Sequence, residues 1–176
     1  MPRILFALAL LLPAAAQAQS AGPDAWGHVA TAVPPAFESI WGLGDPGPTA
    51  DDGEVLWEMP FPFDFYGQSY SHIVVGSNGA LTFTNGASAE VPFSNGCLPR
   101  PSGSPHVAVF WDDLNPGAGG GIWILDDSAA NDRVIVSWEG VPHFSDQGEG
   151  TFQVHLLYGG LIEIHHLDTQ FASPLY

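Results

Sequence analysis

The stretch Val75-Gly76-Ser77-Asn78-Gly79-Ala80-Leu81-Thr82-Phe83 sets an Asn-Gly pair between two apolar runs. Both residues tolerate positive φ, and such a pair between alternating apolar stretches is the strongest local signal for a β-hairpin. An aromatic-rich run, Phe61 to Phe65, leads through Tyr66-Gly67 into its first arm. A hairpin is not stable in water alone, so one of its faces must be buried against further strands.

Those strands are legible in the rest of the chain. No useful length of sequence repeats apolar residues at helical spacing. Alternation instead predicts strands over 53–59, 70–76, 80–84, 106–111, 121–126, 133–139, 151–158 and 161–166. Turn clusters separate them, at Asn78-Gly79, Asn85-Gly86, Asn95-Gly96, Asn115-Pro116-Gly117, Asp126 to Asp132 and Asp146 to Gly150. Short strands at this spacing, without βαβ alternation, predict a single all-β domain, an antiparallel β-sandwich of jelly-roll-like type. Trp111 alternates with Val107 and Val109, and Trp138 with Val134 and Val136, so both are expected in the core. Trp123 alternates against Ile122 and Ile124, so its indole is the one expected to face outward.

The last two strands carry a register argument. Phe152, Val154 and Leu156 share a face that Ile162 and Ile164 should join. A three-residue loop of Gly159, Gly160 and Leu161 achieves this, pairing Tyr158 with Ile162 and Leu156 with Ile164. His155 and His165 then become a cross-strand pair on the outer, solvated face.

Residues 1–18 combine Arg3, an apolar run from Ile4 to Leu12 and Ala16-Gln17-Ala18, the pattern of a cleaved secretory signal. The run is too short to span a bilayer, and no later one is longer. The expected product is residues 19–176, exported to the cell exterior or the periplasm without membrane insertion. Beyond the signal only Arg100 and Arg133 are basic, there is no Lys, and the 19 acids give a formal net charge of −16. Nucleic-acid binding needs a basic surface that releases counterions, so that partner class is excluded. Cys97 is the single cysteine, so no disulfide can close within the chain.

Candidate chemistry is sparse. There is no G-x-S-x-G elbow, and Gly76-Ser77-Asn78-Gly79 is turn chemistry. Neither H-E-x-x-H nor C-x-x-C occurs, although His155 and His165 could supply two positions of a metal site. No catalytic residue and no organic cofactor are expected. Calcium, which takes six to eight oxygens on loops, is the better cation candidate. Its candidate ligands are the paired acids Asp51, Asp52, Asp112 and Asp113, with Asp126-Asp127, Asn115 and Asp132 in similar strand-end positions; capping of turns by the same residues is the alternative. Exposed indoles could stack on sugar rings.

Three stretches in order carry a resemblance. Phe61-Pro62-Phe63-Asp64-Phe65-Tyr66-Gly67 with Val75 to Phe83, then Val107 to Leu114 (VAVFWDDL), then Arg133 to Phe144 with Thr151-Phe152-Gln153-Val154, resemble the signature of nidogen-like extracellular domains. Similar bacterial modules accompany secreted subtilisin-like proteases, and Asp51-Asp52-Gly53 sits where these often have a paired-acid turn. The resemblance covers most of residues 50 to 168. It implies a β-rich extracellular module used in adhesion or accessory binding, and it brings no catalytic residues. Such modules usually continue past the point reached at Tyr176, so a C-terminally incomplete domain is expected. Three functions follow from these readings. The first is a non-catalytic secreted adhesion or binding module with a protein or glycan partner. The second is an accessory domain of a secreted hydrolase whose catalytic part lies beyond residue 176. The third is a calcium-dependent carbohydrate-binding module.

Overall fold

The computed structural model describes residues 20–91, 104–145 and 148–169. The expected signal segment 1–18, the Asn95-Gly96 turn and Cys97 lie outside the described residues. The chain forms two compact units, Met1–Pro34 and Pro35–Tyr176. In the first, β1 (Ser20–Ala21) pairs antiparallel with β2 (Ala30–Thr31). Asp24 closes their connection by accepting the Trp26 and His28 N–H groups on Oδ1 at 2.8 and 2.9 Å.

The second unit is an antiparallel sandwich. One sheet has the order β11-β10-β9-β8-β3, built from β3 (Asp45–Pro46), β8 (Gly121–Asp127), β9 (Arg133–Pro142), β10 (Glu149–Leu157) and β11 (Leu161–Asp168). The other has the order β4-β5-β6-β7, from β4 (Glu54–Phe65), β5 (Gln68–Gly76), β6 (Ala80–Thr84) and β7 (His106–Ala108). A single helical turn, α1 (Ser128–Asn131), fills the acidic connection between β8 and β9.

Side-chain alternation sends Phe63, Ile73, Val75, Leu81 and Phe83 from one sheet, and Ile122, Ile124, Val134, Val136, Trp138, Phe152, Val154 and Leu156 from the other, into one shared core. Trp138 is fully buried, stacks on Phe152 at 5.2 Å and donates its indole N–H to the Gly76 carbonyl at 3.1 Å, joining the two sheets. Burying an indole without that acceptor would leave an unsatisfied donor.

The predicted strands all form, with some changed limits. β4 runs on through the aromatic segment to Phe65, with a register break between Glu58 and Phe63. Pro60 and Pro62 fall in that break, on an edge strand, where a missing N–H costs no ladder bond. β7 ends at Ala108, three residues early, because Val109 and Phe110 turn their N–H groups to the Gly79 carbonyl. Trp111 is therefore not in the main core as expected. It covers a small second cluster, Val74, Ala80 and Val91, on the other face of the four-stranded sheet.

The β10–β11 hairpin has a three-residue loop, but it is Tyr158-Gly159-Gly160. Leu157 pairs with Leu161 and Leu156 with Ile162. The ladder is shifted by two residues from the expected one, which preserves parity and hence the faces. Gly159 and Gly160 both adopt positive φ, 91° and 92°, while Tyr158 is drawn out of the strand by donating to the Asp132 carbonyl.

In the β5–β6 hairpin only Gly79 takes positive φ, at 72°. A Cβ at Gly79 would lie 1.9 Å from the Phe110 carbonyl oxygen, so the tip is packed too closely for any side chain. Gly79→Val is expected to cost more than about 2 kcal/mol, from left-handed strain together with this clash. Urea unfolding measures it, and an unchanged midpoint would remove the hairpin tip as a packing anchor.

Candidate functional site

Two sets of polar side chains stand out, one at an end of the sandwich and one on its outer face. The first is built around Asn78, which is fully buried at the hairpin tip. Its Oδ1 accepts the Leu114 N–H at 2.8 Å, its Nδ2 donates to Asp52 Oδ1 at 2.9 Å, and its backbone carbonyl accepts the Asp112 N–H at 3.2 Å. Ala50 to Gly53 forms a turn closed by the Gly53 N–H on the Ala50 carbonyl at 3.1 Å, with Asp52 left-handed at φ 50°. One amide thus holds the acidic turn against the loop after β7.

This brings Asp51, Asp52 and Asp113 together, each offering a carboxylate oxygen within 4.8 Å of the others. Burial, then the charges of Asp51 and Asp52, push the Asp113 carboxyl above its ordinary range. Asp112, the fourth expected ligand, is not part of the group. Neighbouring side chains on an extended chain point opposite ways, and Asp112 Oδ1 faces Nε2 of the buried His143 at 3.5 Å while accepting the Asp113 N–H at 2.9 Å. Asp126 and Asp127 take turn-capping and ion-pair roles: Asp126 accepts the Ser128 N–H at 2.9 Å, and Asp127 binds Arg133 Nε at 2.7 Å.

The outer face of the five-stranded sheet differs more from expectation. His155 and His165 are not a solvated, directly opposed pair. With the ladder shifted, His155 lies opposite Glu163 and Gln153 opposite His165, and the two imidazoles meet diagonally with centroids 4.7 Å apart. Both rings are buried, together with Ser137, Glu139 and Gln153. The cover is the chain from Pro35 to Trp41, which crosses three strands in extended form. Its alternate N–H groups each find one side chain per strand: Ala36 donates to His165 Nδ1 on β11 at 3.3 Å, Glu38 to Gln153 Oε1 on β10 at 3.1 Å, and Ile40 to Glu139 Oε1 on β9 at 2.9 Å. Gln153 Nε2 returns a bond to the Glu38 carbonyl at 2.8 Å, and Ser39 Oγ donates to Glu139 Oε2 at 2.6 Å. Arg133 ties down the same crossing through Glu38 and Asp127.

This strap was not foreseen. The available signal was the alternation of Ser137 with Glu139 and of Gln153 with His155 opposite the apolar face; such side chains can both cap and be capped by a backbone. Where the strap ends, Trp41 packs at 5.8 Å on the outward-facing Trp123 while remaining 53% exposed. Gly121 beneath them admits the pair, since a Cβ there would meet Trp123 Nε1 at 2.9 Å and the Trp41 ring at 3.1 Å.

Glu139 accepts from Ser39, Ile40 and, at 3.1 Å, Ser137. Glu139→Ala strands the buried Ile40 and Ser137 donors and releases Ser39, and is expected to destabilise the fold by about 2–4 kcal/mol while exposing residues 35–41 to protease. Urea unfolding and limited proteolysis read the two effects, and a variant as stable and as resistant as the parent would remove the strap as an anchored element.

Among the described residues no helix is long and apolar enough to cross a membrane. Comparison with curated proteins and with solved structures returned no match. Residues 28–173, which span the sandwich, the strap and both polar sets, match the family described as NIDO related, and the chain belongs to this nidogen-related family of extracellular, non-catalytic modules.

Proposed function

We propose that the chain is a non-catalytic adhesion or binding module of the cell exterior, whose contact surface is the Trp41 end of the outer sheet face and whose ligand is a glycan. The observation that carries this reading is the Trp41–Trp123 pair. A half-exposed indole fixed by a second indole over a glycine is a preorganised apolar surface, and little side-chain entropy remains to be lost when a sugar ring packs on it. Leu43, in the turn that follows Trp41, is exposed as well. The net charge of −16 favours a neutral or basic ligand over an anionic one.

A glycan array followed by titration of indole fluorescence tests the proposal. Trp41→Ala is expected to weaken binding at least about tenfold, with a small change in stability because the side chain is half exposed. An array with no specific hit, or a variant that binds as the parent does, would sink it.

A second reading attaches to Asp51, Asp52 and Asp113. Three converging carboxylates, one with its charge already disfavoured, suit a hard cation with oxygen preference, and calcium would relieve their repulsion. Thermal melting with millimolar calcium against a chelator is expected to show a higher Tm with calcium, and that shift should vanish in Asp113→Asn. Identical melting curves would leave the cluster as turn-capping chemistry alone.

A further inference from the structure

We infer that His155, Glu163 and His165 form a binding site for one divalent transition-metal ion of the zinc or copper class. Three donor atoms converge here, His155 Nδ1, Glu163 Oε2 and His165 Nε2, all within 4.8 Å of one another. Glu163 Oε2 stands 3.7 Å from His155 Nδ1 and 3.6 Å from His165 Nε2. Both separations are too long for hydrogen bonds. They lie close to the roughly 3.4 Å that separates two ligands of a tetrahedral ion bound at about 2.1 Å.

The second shell prepares one imidazole for this role. Gln153 is oriented by its two bonds with the Glu38 backbone, so its Oε1 accepts and His155 Nε2 donates to it at 2.8 Å. The proton of His155 is thereby held on Nε2, which leaves Nδ1 as an acceptor, with Arg133 Nη1 at 3.2 Å and Glu163 Oε2 at 3.7 Å. A ring N–H anchored on a neighbouring acceptor is the usual support of a metal-bound histidine.

The other imidazole supplies an unsatisfied atom. His165 is 3% exposed, and its Nε2 has no hydrogen-bond partner among the described residues. A buried polar atom left without a partner is destabilising, and this one faces the Glu163 carboxylate at 3.6 Å. His165 Nδ1 accepts from the Ala36 N–H across a long 3.3 Å, which places the ring proton on Nε2 in the metal-free state. Binding moves that proton to Nδ1 and gives up the Ala36 contact, so metal and the start of the strap are linked.

Charge favours a dication. The groups around the triangle include the Glu38, Asp127 and Glu163 carboxylates and one guanidinium, that of Arg133, which contacts His155 Nδ1 at 3.2 Å. Three negative charges against one positive leave two negative charges, which a single M²⁺ balances. Arg133 stays paired with Glu38 and Asp127 when it yields the Nδ1 lone pair to the ion. Two imidazoles and one carboxylate select zinc or copper over calcium, which prefers oxygen. Glu163 is the partly exposed member and leaves an entry path from solvent.

Isothermal titration of the full chain with Zn²⁺ at neutral pH tests the site. One ion per chain is expected, undisturbed by excess Ca²⁺, and bound at least about tenfold more weakly by Glu163→Gln and by His165→Gln. Co²⁺ in place of Zn²⁺ should give the absorption of a low-coordinate site with nitrogen ligands, lost in the same variants. Should His165→Gln fail to fold, Glu163→Gln decides alone, because its side chain is partly exposed and keeps its size. No saturable Zn²⁺ binding, or binding that both variants retain in full, would overturn the assignment; the latter would move the ion to Asp24–His28 or to Asp112–His143.

Discussion

The buried amide of Asn78 is the constraint on which one end of the molecule depends. It cannot rotate, since one end accepts a backbone N–H and the other donates to a carboxylate. A single side chain therefore fixes the hairpin tip, the Asp51–Asp52 turn and the start of the loop leading to β8. Losing it would strand the Leu114 N–H in a fully buried place, a larger penalty than the net worth of that bond, and would release the exposed Asp52 carboxylate to water. The acidic cluster has its shape because the hairpin has its shape.

The same economy appears on the outer face of the five-stranded sheet. Polar residues there are buried at little penalty because a backbone lies across them and completes most of their hydrogen bonds, His165 Nε2 being the exception. A sheet covered by a helix buries apolar side chains. One covered by a single extended chain must instead satisfy a row of backbone donors, and Glu139, Gln153 and His165 supply one acceptor per strand. Trp138, pointing the other way from the same strand, satisfies its indole on the opposite sheet. Both faces of β9 are thus held by hydrogen bonds, and neither depends on packing alone.

Much of the sandwich was legible because alternation is local. Ala80–Thr84 was read with its limits correct, the apolar faces of β8, β9 and β10 were right, and Trp138 was placed in the core while Trp123 was turned out. What failed depended on partners distant in sequence. Trp111 left the main core because Gly79, some thirty positions away, captures the N–H groups that would have continued β7. The final ladder slipped by two because two glycines and the Asp132 carbonyl fix its loop, and period-two reasoning sees only parity. Among the candidate ligands, Asp51, Asp52 and Asp113 proved to be neighbours and Asp112 did not, a distinction set by the Asn78 bridge. The outer-face histidines were expected in solvent because nothing in Glu38-Ser39-Ile40-Trp41 announces a strap.

Pro60 and Pro62 gain importance from their place on β4. An edge strand normally offers a row of N–H groups to any passing chain, and two prolines withdraw two of them where the register already breaks. That edge is a poor template for sheet extension between molecules. The β4 rim is thereby closed to one route of self-association, a property of the population that no single binding site confers.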